Sequence, residues 1–199
     1  MVLCLTTSSD HTLLVSGSKD QTARIYTPSP TTPGDWSCIA ICEGHAESIG
    51  ALILSRKSSP PQFLVTASQD RTLKLWDLST LPLSTSANPS KPRSLSTLRA
   101  HEKDINSLDI SPNDKFLASG SQDKLVKIFS VDYPSGGMKL VGVCKGHRRG
   151  VWTVKFSPSD RVVASGAADR TVRLWSLDDF TCLKVSIPPS NSREPVSCC

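Results

Sequence analysis

The sequence predicts an all-β fold built from a repeated unit of short antiparallel strands. Apolar and polar residues alternate over 151–156 and 172–175, which is the period of a half-buried strand, and the segment 157–160 between them has the composition of a tight turn. Turn aspartates recur at Asp20, Asp70, Asp123 and Asp169, at intervals of 50, 53 and 46 residues. A recurring interval of this length in strand-rich units predicts a repeat architecture.

Two further residue types keep their distance from the turn aspartates. Histidines precede the last three aspartates by 25, 22 and 22 residues, within Gly-His or Ala-His pairs. An aromatic residue follows each aspartate after six residues, as in Ser-Gly-Ala-Ala-Asp-Arg-Thr-Val-Arg-Leu-Trp at 165–175. These motifs resemble the WD-repeat family over about residues 2–185. The resemblance implies a β-propeller, an arrangement of four-stranded blades, in which the outermost strand of each sequence repeat belongs to the preceding blade.

Counted in this way, the chain contains four blades and a short tail. The blades are expected at about 2–42, 49–98, 105–144 and 151–185, followed by a disordered tail at 186–199. Because propellers of this family usually have seven blades, four would form a partial or open arc with unpaired edges. We therefore expect the chain to be a fragment or truncated form of a longer protein. The Pro- and Ser-rich segments 28–35 and 79–95 are interpreted as flexible surface insertions, with a partner-binding loop as the alternative.

Composition indicates an ordinary globular protein without a membrane segment, cofactor or metal. The net charge of +5, from 23 basic and 18 acidic residues, does not by itself indicate a nucleic-acid partner. No apolar run approaches the ~18 residues of a membrane helix. Seven cysteines without regular pairing predict a reducing compartment and packing roles. A zinc site at Cys38 and Cys42 lacks completing ligands, and little supports prenylation of Cys198-Cys199.

Each complete repeat carries a histidine, a hydroxyl residue and an aspartate, the ingredients of a hydrolase triad. A nucleophile is needed once, whereas these sets recur from repeat to repeat, so buried hydrogen-bond networks explain them better than catalysis. The resemblance likewise implies structural tetrads completed by tryptophan, with the tryptophan replaced at Tyr26 and Phe129. The residues assigned to these sets are Ser16, Asp20, His45, Thr66, Asp70, Trp76, His101, Ser119, Asp123, His147, Ser165, Asp169 and Trp175.

A basic residue stands four positions after every turn aspartate, at Arg24, Lys74, Lys127 and Arg173. Packing of its stem over the aromatic ring two residues later, with a cation–π contribution, is the first interpretation, and a basic binding stripe is the alternative. Two other groups are basic, one at 147–149 and a looser one formed by Lys91, Arg93 and Arg99. Either group could meet RNA phosphate or an acidic protein surface.

For a binding surface, the resemblance points to the rim where the turn before each aspartate meets the start of the first strand. The candidate residues are Ser48, Gly50, Gln69, Asp104, Asn106, Gln122, Arg148, Arg149, Gly150, Trp152 and Ala168. Trp152 is the strongest candidate because exposed tryptophan dominates interface energetics. The competing interpretation places it in the core, in register with Val154 and Phe156.

Closer motifs narrow the resemblance. His-Glu-Lys-Asp-Ile-Asn-Ser at 101–107 and Gly-His-Arg-Arg-Gly-Val-Trp at 146–152 resemble the transducin-beta-like WD-repeat proteins of the small-subunit processome. That resemblance implies a non-enzymatic scaffold of the nucleus and nucleolus that acts in pre-rRNA processing alongside a small nucleolar RNA. Its partners would be processome proteins, with pre-rRNA or small nucleolar RNA contacted within the complex, and no membrane or small-molecule substrate. The alternative is a generic WD-repeat adaptor, such as a ubiquitin-ligase substrate receptor.

Overall fold

The computed structural model describes residues 1–29, 32, 34–81, 88–159 and 161–187, which form four antiparallel four-stranded sheets and no helix. Each sheet is a meander of consecutive strands and is called a blade below. The first blade contains β1 (Val2–Thr7), β2 (Leu14–Ser18), β3 (Ala23–Pro28) and β4 (Trp36–Cys42). The second contains β5 (Ile49–Leu54), β6 (Phe63–Ser68), β7 (Thr72–Asp77) and β8 (Ser94–Arg99). The third contains β9 (Ile105–Ile110), β10 (Phe116–Ser121), β11 (Val126–Asp132) and β12 (Gly137–Cys144). The fourth contains β13 (Val151–Phe156), β14 (Val162–Ala167), β15 (Val172–Ser176) and β16 (Cys182–Ser186).

The blades follow one another through their first strands. Strand β1 packs against β5, β5 against β9, and β9 against β13. Three apolar clusters lie between successive blades, centred on residues such as Ile49, Leu117 and Val151. Such alternating strands bury apolar faces on both sides of a blade, so each blade needs a neighbour to complete its core. The predicted all-β propeller architecture with four blades is confirmed.

The first strand of every blade carries a β-bulge near its start. In the fourth blade, Val151 pairs with Ala167 but Thr153 pairs with Gly166, so Trp152 is the extra residue. The register shifts between the equivalent positions of the other three blades. Because a bulge breaks the two-residue alternation, Trp152 does not share the buried face of the strand and is 52% exposed. The interpretation of Trp152 as a core residue in register with Val154 and Phe156 is therefore wrong.

The predicted insertion at 79–95 is shorter than expected and partly docked. Residues 82–87 lie outside the described part of the chain, and the segment ends early because β8 begins at Ser94. Ser90 forms a parallel bridge with Ala40, and its backbone exchanges hydrogen bonds with Ile39 and Ile41 at 2.8 and 2.9 Å. This contact pairs one position on the open edge of β4, so the expectation of a flexible loop is wrong at Ser90. An edge strand left bare is prone to pairing with other chains.

The C-terminal prediction is corrected in one place. Ser186, assigned to a disordered tail, is the last residue of β16. Residues 188–199, including Cys198 and Cys199, lie outside the described residues, as do residues 30, 31 and 33 of the first insertion. No helix with the length and hydropathy of a membrane span occurs among the residues that the structure describes.

Candidate functional site

The turns between the second and third strands position the aspartates. The residue after each aspartate has a positive φ, of 71° at Gln21, 71° at Arg71, 75° at Lys124 and 64° at Arg170. These exposed side chains therefore project from one tight turn in each blade. In the first three blades a serine two residues before the aspartate accepts its backbone N–H, at 3.0–3.2 Å. The same hydroxyls, of Ser18, Ser68 and Ser121, donate to a carbonyl of the loop before the first strand or, in the first blade, to that of Met1. Their constant offset from the aspartate could have identified them in the sequence.

The second blade assembles a complete four-residue network. His45 Nδ1 lies 2.9 Å from Asp70 Oδ2, and His45 Nε2 lies 2.8 Å from Thr66 Oγ1. The indole N–H of Trp76 donates to the same hydroxyl oxygen at 2.9 Å. The backbone N–H of Ala46 donates to the carboxylate at 3.0 Å. The network therefore joins the loop before β5 to β6, the aspartate turn and β7.

The fourth blade repeats this network and the third blade shortens it. His147 lies 3.1 Å from Asp169 and 2.7 Å from Ser165, whose hydroxyl accepts the indole N–H of Trp175 at 2.7 Å. In the third blade the corresponding histidine, serine and aspartate are His101, Ser119 and Asp123, with contacts of 2.8 and 2.7 Å. Phe129 takes the tryptophan position there and is buried without an N–H to donate.

The first blade does not join its two assigned residues. Ser16 is buried, whereas Asp20 is exposed and receives hydrogen bonds from Thr22 and Arg24 at 2.6 and 3.0 Å. Because this blade has no histidine to hydrogen-bond with both groups, the hydroxyl of Ser16 and the carboxylate of Asp20 are not connected. The structure therefore contains three histidine networks, not four, among the described residues.

The protonation states fix the direction of these hydrogen bonds. Burial lowers the pKa of His45 and His147 below the ordinary value of 6.5, despite the adjacent carboxylates. Burial opposes ionisation of Asp70 and Asp169, yet hydrogen bonds from threonine hydroxyls, backbone N–H groups and the histidines hold the pKa of each carboxyl at about 2. Each neutral imidazole therefore donates from Nδ1 to the carboxylate and accepts at Nε2 from the hydroxyl.

These distances match those of a hydrolase triad, but the environment does not. Thr66, Ser119 and Ser165 are at most 1% exposed, so no substrate carbonyl can approach their hydroxyl oxygens. In two networks the hydroxyl is already committed to an indole donor and an imidazole acceptor. The geometry supports a role in satisfying buried polar groups rather than in nucleophilic attack.

Replacing Thr66 by valine should lower the free energy of unfolding by about 1–3 kcal/mol, because the indole N–H of Trp76 and Nε2 of His45 lose their buried partner. Valine keeps the shape of threonine, so the loss isolates the hydroxyl. Thr97→Val in the exposed part of β8 is the matched control and should change stability by no more than about 0.5 kcal/mol. Urea unfolding measures both variants, and equal stabilities for the two would contradict the role of the network.

The candidate rim is formed by backbone hydrogen bonds between the aspartate turn and the residue that precedes or begins the first strand. The N–H groups of Gln69, Gln122 and Ala168 donate to the carbonyls of Ser48, Asp104 and Gly150 at 2.9–3.0 Å. Gln69, Gln122, Arg148, Arg149 and Trp152 are exposed, whereas Gly50, Asp104, Asn106, Gly150 and Ala168 are half-buried. Ser48 is buried and cannot contribute its side chain to a surface.

The basic residues four positions after the aspartates do not share one role. Among the described residues, only Arg173 lies over an aromatic ring, 5.9 Å from the centroid of Trp175. Arg24 pairs with Asp20, Lys74 donates to Thr97, and Lys127 donates to the carbonyl of Ala100 at 2.7 Å. The expectation of a common cation–π contact is therefore wrong in three blades, where oxygen acceptors lie within reach.

The looser basic group on the second blade is largely neutralised. Lys91 pairs with Glu43 at 2.7 Å and Arg99 pairs with Glu102 at 2.9 Å. By contrast, the described residues contain no carboxylate partner for the side chains of Arg148 and Arg149. Of the two basic groups noted in the sequence, the one beside His147 therefore has side chains, those of Arg148 and Arg149, that are available to bind an anionic ligand.

The described cysteines behave as packing residues. Cys4, Cys38, Cys42, Cys144 and Cys182 are free thiols, and burial raises the pKa of Cys42 and Cys144 to about 12. Within the described ranges no group of three histidine, cysteine, aspartate or glutamate side chains could hold a metal ion.

The repeated blades, their offset strands and the histidine networks define a WD-repeat propeller, and comparison with known proteins agrees. The family model "WD domain, G-beta repeat" matches residues 1–27, 36–77, 92–130 and 138–176. The chain therefore belongs to the WD-repeat family. The last three matched ranges begin within two residues of the start of β4, β8 and β12, so each of these sequence repeats includes the outer strand of the preceding blade.

Several curated proteins resemble the chain. "Transducin beta-like protein 3" of Mus musculus is 45% identical over 150 residues, which cover 73% of this chain and 18% of that protein. "U3 small nucleolar RNA-associated protein 13" of Saccharomyces cerevisiae is 34% identical over 132 residues, covering 64% of the chain and 16% of the relative. "Ribosome biogenesis protein WDR12 homolog" of Oryza sativa subsp. japonica is 29% identical over 126 residues, covering 62% and 27%. The matched region thus spans less than a fifth of the length of the first two relatives.

Proposed function

We propose that the chain is a non-catalytic scaffold in ribosome biogenesis, and more specifically a part of the small-subunit processome that acts in pre-rRNA processing. The observation that carries this proposal is the 45% identity to Transducin beta-like protein 3 over 73% of the chain. Similarity to a U3 small nucleolar RNA-associated protein and to a ribosome biogenesis protein supports the same process. On this proposal the chain works in the nucleolus and contacts other processome proteins.

The site geometry supports the scaffold part of the proposal. The hydroxyls that could serve as nucleophiles are buried in hydrogen-bond networks, and the exposed turns of successive blades lie along one rim. A rigid rim that presents different side chains from each blade suits the binding of several partners. If the chain were instead a hydrolase, its activity would disappear in the variant His147→Ala.

Co-purification from cells tests the assignment to the processome. A tagged chain should recover processome proteins and precursor ribosomal RNA, and Trp152→Ala on the rim should reduce their yield. Trp36→Ala is the matched control, because Trp36 is 44% exposed but lies on the outer strand β4. Recovery of cullin-type ligase components in place of processome proteins would favour the substrate-receptor alternative and refute the proposal.

A further inference from the structure

In the described part of the chain, exposed cations without an ion-pair partner gather on the rim of the third and fourth blades. Six exposed cationic side chains share this position and are called the basic rim. They are Lys103, Lys124, Lys145, Arg148, Arg149 and Arg170. None of the six has a carboxylate partner within 4.0 Å in the described part of the chain. Unpaired cations repel one another, so their grouping favours an anionic ligand.

Hydrogen bonds place these six residues on the same rim. Lys145, Arg148, Arg149 and Arg170 are all within two residues of the bonded pair His147 and Asp169. Lys103 and Lys124 are within two residues of the equivalent pair His101 and Asp123. The exposed Glu102, which pairs with Arg99, and the half-buried Asp104 lie on the same loop, so the excess of positive charge is larger on the fourth blade. The carboxylates of these pairs face inward to the histidines and are at most 9% exposed, so the cations form the outer surface.

The two blades form one continuous surface. A Cβ atom added to Gly150 would lie 3.1 Å from the Cα of Gln122, so the two turns approach each other at backbone distance. Beside this contact, the amide Nδ2 of Asn106 donates to the carbonyl of Val151 at 2.7 Å. A linear ligand could therefore pass from the cations of the third blade to those of the fourth without leaving the surface.

The first two blades lack this charge. At the position after the turn aspartate, which Lys124 and Arg170 occupy, the second blade carries Arg71 and the first carries Gln21. Lys19 is exposed on the first blade two residues before Gln21, and Glu43 and Glu47 are exposed on the loop before β5. Since the blades share the same backbone pattern, the basic rim is a property of particular side chains and not of the repeat. Lys19 and Arg71 are exposed cations outside the basic rim and provide the control positions.

An exposed aromatic ring adjoins the basic rim. Trp152 is 52% exposed and occupies the bulge at the start of β13, three residues from Arg149. Three residues of extended chain reach at most ~11 Å, so the ring and the guanidinium group can contact neighbouring parts of one ligand. The residues on either side of Trp152 pair with β14, Val151 with Ala167 and Thr153 with Gly166. This pairing fixes the backbone at Trp152 and keeps the indole at the surface.

We propose that the basic rim binds a single-stranded nucleic acid, with its cations on successive phosphates and Trp152 stacked on a base. This inference rests on the proposed function, for which it names a direct RNA-binding surface. Exposed cations beside an exposed aromatic ring are the groups with which proteins bind single strands without sequence preference. Lysine supplies three of the six cations, and lysine is depleted in protein–protein interfaces but is a common phosphate ligand, which favours a nucleic acid over an acidic protein.

Binding of a labelled single-stranded oligoribonucleotide of about 16 nucleotides to the purified chain tests the proposal by fluorescence anisotropy. Arg148→Ala combined with Arg149→Ala should weaken binding and reduce the slope of log K against log salt by about 1.4, since each phosphate contact contributes ~0.7 for a single strand. Trp152→Ala should weaken binding by about 5- to 160-fold, which corresponds to ~1–3 kcal/mol for one stacked base. Lys19→Ala combined with Arg71→Ala should leave both quantities unchanged.

Two further measurements separate the alternatives. In a Trp36→Phe background, Trp152 is the sole exposed tryptophan in the described part of the chain, and the oligonucleotide should quench its fluorescence. A DNA oligonucleotide of the same sequence shows whether the 2′-hydroxyl contributes. Poly-glutamate tests for an acidic protein partner. If poly-glutamate displaces the RNA, and if Trp152→Ala weakens the binding of poly-glutamate as much as the binding of RNA, the surface is one for an acidic protein and the proposal is wrong.

The same variants distinguish failure of the site from failure of the proposed function. If the purified chain does not bind RNA but still recovers processome proteins after ribonuclease treatment, the basic rim is not an RNA site and the scaffold function stands. If it binds RNA through the basic rim but recovers no processome proteins, the scaffold function fails and the site stands. Equal weakening by the control pair Lys19→Ala and Arg71→Ala would also refute the site.

Discussion

Replacing Asp109 by alanine is expected to lower the free energy of unfolding by about 1.5–3 kcal/mol, the range for losing hydrogen bonds to a charged group; the buried backbone N–H of Phe156 loses its acceptor, whereas the cationic partners Arg56 and Lys155 are partly exposed. Asp109 lies in β9 and is 1% exposed. Its carboxylate accepts from Nη2 of Arg56 at 2.7 Å and from the backbone N–H of Phe156 at 2.7 Å. Nζ of Lys155 lies 3.5 Å away. The variant would leave the N–H of Phe156 without its acceptor and open a cavity where the carboxylate was.

The large effect is expected because this one side chain connects three blades. Arg56 follows the first strand of the second blade, Asp109 belongs to the third, and Phe156 ends the first strand of the fourth. The Arg56 side chain also donates to the carbonyl of Ile110 at 3.0 Å, and its backbone N–H donates to Asp114 at 2.8 Å. Loss of Asp109 therefore weakens two blade interfaces at once, whereas a tetrad residue acts within one blade.

Urea unfolding at a single protein concentration measures this effect. Asp109→Asn keeps an acceptor for Phe156 while removing the charge, so its loss should be smaller, about 1–2 kcal/mol. Asp178→Ala is the control, because Asp178 forms an exposed ion pair with Arg161 whose contribution should not exceed about 1 kcal/mol. A loss at Asp109→Ala no larger than that of Asp178→Ala would show that the carboxylate does not hold the blades together.

The features that could be predicted from the sequence are those that repeat. Four turn aspartates at similar intervals indicate four blades, and three histidines at similar offsets indicate which side chains surround each turn. Repetition also favours a structural interpretation of these sets, and the hydroxyl of each network is buried. Even the missing network in the first blade is visible in the sequence, since no histidine precedes Asp20.

Features that occur once, or depend on register, could not be predicted in this way. Asp109 interrupts the apolar residues of β9 without a counterpart in the other blades, where Thr6, Ile53 and Lys155 stand. The bulge at Trp152 reverses the face that simple alternation assigns to it. The contact of Ser90 with β4 joins residues far apart in sequence within a segment of turn-like composition. Each depends on tertiary contacts that a local pattern does not contain.

The two terminal blades expose the surfaces that the other blades bury. Leu5 of β1 is 63% exposed, whereas the equivalent Leu52 and Leu108 are buried against the preceding blade. At the other end, Val172 is half-buried, whereas the equivalent Val126 is fully buried against the following blade. The exposed face of the first blade thus corresponds to the surface that contacts a preceding blade, and that of the fourth blade to the surface that contacts a following blade.

We therefore expect the purified chain to self-associate head to tail, with the first blade of one copy against the fourth blade of another. Such an unclosed contact repeats, so light scattering should show a mass above that of the monomer that rises with concentration. Leu5→Lys should restore a monomer by placing a charge in the apolar contact. Leu140→Lys, which alters a leucine 51% exposed on the outer strand β12, should leave the association unchanged. A compact monomer that unfolds cooperatively at all concentrations, or equal suppression by both substitutions, would show that the terminal faces do not bind each other.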